Sequence, residues 1–95
     1  MTDDDLCFTP ATRLASLIRR RQVSPLELTR ALLDRIERVN PALNAYCTVA
    51  AEHALASARA ATRALKRGAT LGPLHGVPVS IKDLTPTRGI RTTSG

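Results

Sequence analysis

A chain of ninety-five residues has room for one small domain at most, and 43% hydrophobic with 23% charged residues is a globular rather than a disordered composition. Aromatic residues make up only 2%, Phe8 and Tyr46, and the apolar content is largely alanine and leucine, so each helix buries modest area and an independent compact core is not expected. The net charge of +6 and a pI near 10.7 raise the question of nucleic acid, but the cations are badly placed for it. Arg19-Arg20-Arg21 and Lys66-Arg67 fall in the last turns of two predicted helices, where they offset the helix dipole, and no aromatics interleave them for base stacking.

Residues 1–8 are expected to be a flexible N-terminus. Thr9-Pro10 pairs a capping residue with a first-turn proline, and Ala11, Leu14, Ala15 and Ile18 recur at helical spacing, so a first helix is predicted to end near Arg21 or Gln22. Ser24-Pro25-Leu26-Glu27 has the form of a reciprocal capping box. The second helix carries Leu28, Leu32, Ile36 and Val39 as its apolar stripe and Asp34 with Arg38 as an exposed i,i+4 pair, and Asn40-Pro41 is predicted to stop it.

Alternation of Ala45, Cys47 and Val49 with Asn44, Tyr46 and Thr48 predicts a short strand over 44–49. Residues 50–67 are strongly helix-forming, and Gly68 is suited to end that helix in a left-handed conformation. A second strand is predicted over 77–81, after which Thr85-Pro86-Thr87-Arg88-Gly89 reads as loop. The order helix, helix, strand, helix, strand is that of an opening α/β protein with a parallel or mixed sheet. Two short strands alone do not make a stable sheet.

Cys7 and Cys47 have neither CxxC spacing nor paired histidines beside them, which leaves free thiols as the expectation and gives no sign of a metal site. The acidic start, Met1-Thr2-Asp3-Asp4-Asp5, differs from the basic start of a signal peptide, and no apolar run approaches ~18 residues. A soluble, cytoplasmic chain without a membrane partner is expected.

Lys82 is the chemically informative residue, because it closes the apolar run Val77-Pro78-Val79-Ser80-Ile81. An ammonium at the end of a core strand is paired, exposed, or kept neutral for chemistry. To act as a base it must be desolvated, with a pKa brought down from ~10.4 toward ~7 to 8. The rival reading is a salt bridge to Asp83 or to another exposed partner. Ser80 shares the face of Lys82, but such neighbours on a strand stand roughly 6 to 7 Å apart, beyond direct hydrogen bonding. His75, in the turn before the strand, is read as a turn or packing residue, and His53, on the alanine-rich helix, as solvated or partly packed.

The run GPLHGVPVSIKDLTPTRGIRTTSG, residues 72–95, resembles the start of the amidase signature family. The upstream segment Ile36-Glu37-Arg38-Val39-Asn40-Pro41-Ala42-Leu43-Asn44-Ala45-Tyr46 also looks like that family's N-terminal helical arm, so the similarity runs from about Thr9 onward. The resemblance implies a helical arm plus the first strands of an incomplete mixed-sheet α/β fold, with residues 9–95 as the N-terminal part of a truncated amidase domain. It implies a C–N hydrolase that cleaves carboxamides through a Ser, cis-Ser, Lys triad and an acyl-enzyme, with no cofactor. Lys82 matches the catalytic lysine. Both triad serines would lie downstream, so the chain alone is expected to be inactive, and its partner in the complete enzyme is a small-molecule amide. Gly89-Ile90-Arg91-Thr92-Thr93 after the lysine looks more like general amidases than the A subunit of aminoacyl-tRNA amidotransferases. That tRNA-linked homologue remains an alternative, as does a noncatalytic basic helical module that binds a protein or nucleic acid.

Overall fold

The computed structural model describes residues 1–94, and four helices make up its regular structure. They are α1 (Asp3–Cys7), α2 (Ala11–Arg19), α3 (Pro25–Leu43) and α4 (Ala51–Lys66). Helix α1 has no counterpart in the sequence reading of residues 1–8. It forms because Thr2 accepts from the Asp5 amide while the Asp5 carboxylate accepts from the Thr2 amide, a closed capping box that three leading aspartates reinforce at the positive end of the helix.

Helix α2 begins one residue later than a Thr9 cap would place it. Pro10 is the N-cap, and the Thr9 hydroxyl donates back to the Asp5 carbonyl at 2.5 Å. The helix ends at Arg19 in a Schellman arrangement: Gln22 N–H bonds the Leu17 carbonyl at 3.0 Å and Arg21 N–H the Ile18 carbonyl at 2.9 Å, with Arg21 at φ 61°. Ser24 then caps α3, accepting from the Glu27 amide at 3.0 Å as one half of the predicted box.

Pro41 does not stop α3. The helix runs on to Leu43, because a proline in the last turn leaves only the Glu37 carbonyl without its usual donor, and Asn44 at φ 52° closes the end. The predicted Asp34–Arg38 pair is also replaced. Arg38 reaches Asp4 at 3.4 Å, beside Arg35 at 3.6 Å, and Arg35 lies over the Phe8 ring at 4.7 Å, so α1 is fastened to α3 by charge and cation–π contact.

The core is one cluster fed by all four helices: Leu6 from α1, Leu14, Leu17 and Ile18 from α2, Leu28 and Ala31 from α3, and Leu65 from α4, with Val23 between α2 and α3. Ile18 and Leu28 are completely buried. Helix α4 ends as the sequence predicts, with Gly68 at φ 71°, Gly68 N–H on the Leu65 carbonyl and Ala69 N–H on the Ala64 carbonyl, both at 3.1 Å. No helix among the described residues is long and apolar enough to cross a membrane.

The two predicted strands do not form. Among the described residues the β-structure amounts to an isolated antiparallel bridge between Thr87 and Ile90, so the α/β expectation gives way here to a mostly helical chain. Residues 44–49 are held instead by the end of α3, where Asn40 Oδ1 accepts from Tyr46 N–H at 2.8 Å and Asn40 Nδ2 donates to the Tyr46 carbonyl at 3.2 Å. Residues 77–82 run without a ladder partner. A strand is defined by its neighbour, and alternation in the sequence cannot supply one. The radius of gyration, 13.8 Å, exceeds the ~12 Å of a compact domain of this length, as expected of a helical core trailing an uncovered segment.

Candidate functional site

The conspicuous segment 72–84 is seated on the helices at its first turn. Leu74 and Val77 close the turn through a 3.1 Å main-chain bond, and Gly76 within it has φ 81°. Three contacts dock the turn. The Pro73 carbonyl accepts from Arg19 at 3.5 Å, His75 Nε2 stands 2.8 Å from the Ala61 carbonyl of α4, and Gly76 lies against Pro25 and Ile18. A hydrogen bond from His75 requires its proton on Nε2. His75 thus has the turn and packing role that its position in the sequence suggests, while His53 is exposed on α4.

Beyond the turn the alternation of the sequence is visible only in part. Val77 packs against the core cluster, but Val79 is 82% exposed, Ile81 55% and Leu84 59%. Ser80 and Lys82 are exposed as well. Among the described residues the burial that a lysine base needs is therefore not provided. A groove of about 540 Å³ lies between α1, α2 and α3, lined among others by Leu6, Leu17, Val23, Glu27 and Ala31, and it includes no residue of the segment 72–84.

What the structure adds at Lys82 is a loop closure. The Lys82 carbonyl accepts from Thr85 N–H at 3.0 Å, so the chain turns directly after the lysine. Asp83 then holds the far end of the loop: its Oδ1 accepts from Thr93 N–H at 2.8 Å, its Oδ2 accepts from the Thr93 hydroxyl, and its main-chain carbonyl accepts from Ser94 N–H at 2.9 Å. The Thr87–Ile90 bridge, with Gly89 at φ 77°, forms the tip. Sequence reasoning missed this pairing, since an aspartate and a threonine ten positions apart carry no local signal. Gly95, the last residue of the resembling run, lies outside the described residues.

Elsewhere the chemistry-bearing groups stay apart. Among the described residues no three His, Cys, Asp or Glu side chains stand together as a metal site would need. Cys7 is half-buried, with Sγ 3.8 Å from the Ala31 carbonyl, and burial pushes its thiol up from the ordinary cysteine range, whereas Cys47 is exposed. Arg21 donates to the Leu65 carbonyl at 3.0 Å, which brings the basic ends of α2 and α4 together and places a cation at the negative end of α4.

Comparison with known proteins gives a consistent result. The Amidase family model matches residues 27–95. The chain is 50% identical over 91 residues, 96% of its length, to the A subunit of the glutamyl-tRNA(Gln) amidotransferase of Acidothermus cellulolyticus, of which it covers 18%. It is 54% identical over 78 residues, 82% of its length, to the protein of the same name from Geobacter sulfurreducens, covering 16% of that protein. With the acylamidase of Rhodococcus erythropolis it shares 39% identity over all 95 residues, 20% of that enzyme. The chain thus spans about a fifth of these relatives or less. No solved structure matches.

Proposed function

The chain belongs to the amidase signature family, and from that premise we propose that it supplies the general base, Lys82, of a hydrolase that cleaves carboxamide C–N bonds. The observation that carries the reading is the segment Leu74-His75-Gly76-Val77-Pro78-Val79-Ser80-Ile81-Lys82-Asp83-Leu84, which lies inside the matched region and is seated on the helical core by Gly76 and His75. The two triad serines are supplied by polypeptide outside these 95 residues, a proposal supported by the small share of each relative that the chain spans. That same polypeptide would pair with residues 77–81 as a strand and cover Val79, Ile81 and Leu84.

Apolar cover disfavours the ammonium form of Lys82 and leaves Nζ a lone pair. Neutral Nζ then takes the proton of the bridging serine as that serine takes the proton of the nucleophilic serine. The nucleophile adds to the amide carbon, backbone amides hold the oxyanion, and the C–N bond breaks as the leaving nitrogen is protonated. Water hydrolyses the acyl-enzyme. Exposure of Lys82 in the isolated chain and its need for cover in catalysis are two states of one design in which base and nucleophile come from separate stretches of sequence.

A second reading, the A subunit of an aminoacyl-tRNA amidotransferase, is favoured by identities of 50% and 54% to such proteins against 39% to the acylamidase. Both readings use Lys82 in the same way. The test replaces the matching segment of the Rhodococcus erythropolis acylamidase with this chain. Turnover is expected in the chimera, with losses of about 10³-fold or more in Lys82→Ala and Lys82→Arg, because a guanidinium stays protonated. An arginine variant that kept more than about a tenth of the rate would remove Lys82 as the base.

A further inference from the structure

We propose that Asp83 is a positioning residue for Lys82, holding the main chain from which the lysine extends by clamping Thr93 and Ser94 across the loop; this rests on the role given to Lys82 above. The lysine is exposed and its segment has no ladder partner, so sheet pairing does not orient it in this chain. Its order has to come from covalent neighbours, and among the described residues the neighbour on the C-terminal side is tied to both Thr93 and Ser94. Both carboxylate oxygens of Asp83 accept from Thr93, one from the amide at 2.8 Å and one from the hydroxyl, and the Asp83 carbonyl accepts from Ser94 N–H at 2.9 Å.

Two features make the clamp suited to positioning. Hydrogen bonds to an ionised carboxylate are about twice as strong as neutral ones, and two donors from one residue fix orientation as well as distance. The clamp also sits directly after the lysine, while the Lys82 carbonyl takes the Thr85 amide, so the main chain is held on the C-terminal side before any sheet forms. Asp83 and Thr93 are both half-buried, in contrast to the exposed Lys82. A side chain carried on a pre-ordered main chain needs less rearrangement when its partners arrive.

The test uses the chain itself, labelled with ¹⁵N, and compares wild type with Asp83→Ala, Thr93→Val and Thr93→Ser. Thr93→Val removes the hydroxyl donor and leaves the Asp83 charge in place, so a change at Lys82 in that variant is mechanical rather than coulombic. The chain has two lysines, and Lys66 in α4 serves as the internal control. In wild type the Lys82 amide is expected to relax as rigid backbone, with an order parameter near ~0.85, and to fall toward ~0.6 in Asp83→Ala and Thr93→Val while Lys66 does not move. Thr93 amide exchange should rise about tenfold in both, and Thr93→Ser should restore both signals. A wild-type Lys82 already below ~0.6 would overturn the proposal, as would an unchanged Lys82 in either loosened variant or a matching loss at Lys66. None of these readouts needs turnover, so failure here leaves the chimera to judge Lys82 as the base, and failure there leaves the clamp standing as structure.

Discussion

Gly76 lies directly against Pro25: a Cβ built on the glycine would stand 2.6 Å from Pro25 Cγ and 3.0 Å from Pro25 Cβ, with Ile18 Cδ1 at 3.4 Å. Pro25 is the first residue of α3 and Ile18 is completely buried, so the turn that leads to Lys82 is keyed into the centre of the helical core. The glycine also has φ 81°, where an L side chain is strained. Gly76→Ala is expected to lower stability by about 2–5 kcal/mol, combining ~1–2 from the backbone with ~1–3 from overpacking against a rigid ring. Urea unfolding checks this, and a loss below ~0.5 kcal/mol would mean that the turn is not seated as described.

Val79 is the opposite case. It is 82% exposed, so Val79→Asp should change the stability of this chain by less than ~0.5 kcal/mol, whereas Ile18→Ala should cost ~2–5. The amides of Val79 and Ile81 should exchange rapidly for the same reason, having no ladder partner. Strong protection at these amides in a monomeric sample would show that the chain completes a sheet on its own.

The two thiols should separate under alkylation. Iodoacetamide at pH 8 is expected to modify exposed Cys47 at least about tenfold faster than half-buried Cys7, whose thiol burial keeps protonated. Because the folded chain holds the Cys7 proton more tightly than the unfolded chain does, that contribution to stability is full below the unfolded value near ~8.5 and is lost as pH rises through the folded one. Cys7→Ser should remove this alkaline dependence, and equal labelling rates at both sites would contradict the packing of α1 on α3.

Helix α1 should respond to acid. The amide of Thr2, and then its hydroxyl, hold the Asp5 carboxyl below the ordinary aspartate range, so the capping box is intact above that range and opens as pH falls through the lowered Asp5 value. The Leu6 amide, bonded to the Thr2 carbonyl at 3.1 Å, is the reporter. Asp5→Asn or Thr2→Ala should speed its exchange several-fold at neutral pH and abolish the acid transition. An acid transition that survives Asp5→Asn would place the titrating group elsewhere.

Three of the four helices, the left-handed end at Gly68 and the family itself were legible in the sequence, because each depends on residues within a few positions of one another. Apolar spacing, the Ser24 cap and the run from Leu74 to Leu84 are all local patterns. What the sequence could not decide was every outcome that depends on which distant group arrives. Pro41 was tolerated because Asn40 and Asn44 rebuilt the helix end, and Arg38 left Asp34 for Asp4 because α1 folds onto α3. Residues 77–81 alternate as a strand does and yet form none, since their hydrogen bonds must come from another strand. Sequence alone determined that a lysine stands at the end of an apolar run; tertiary structure decided that its turn is keyed into the core at Gly76, that its side chain stays exposed, and that Asp83 is tied to Thr93, because burial and long-range hydrogen bonds exist only between segments that packing brings together.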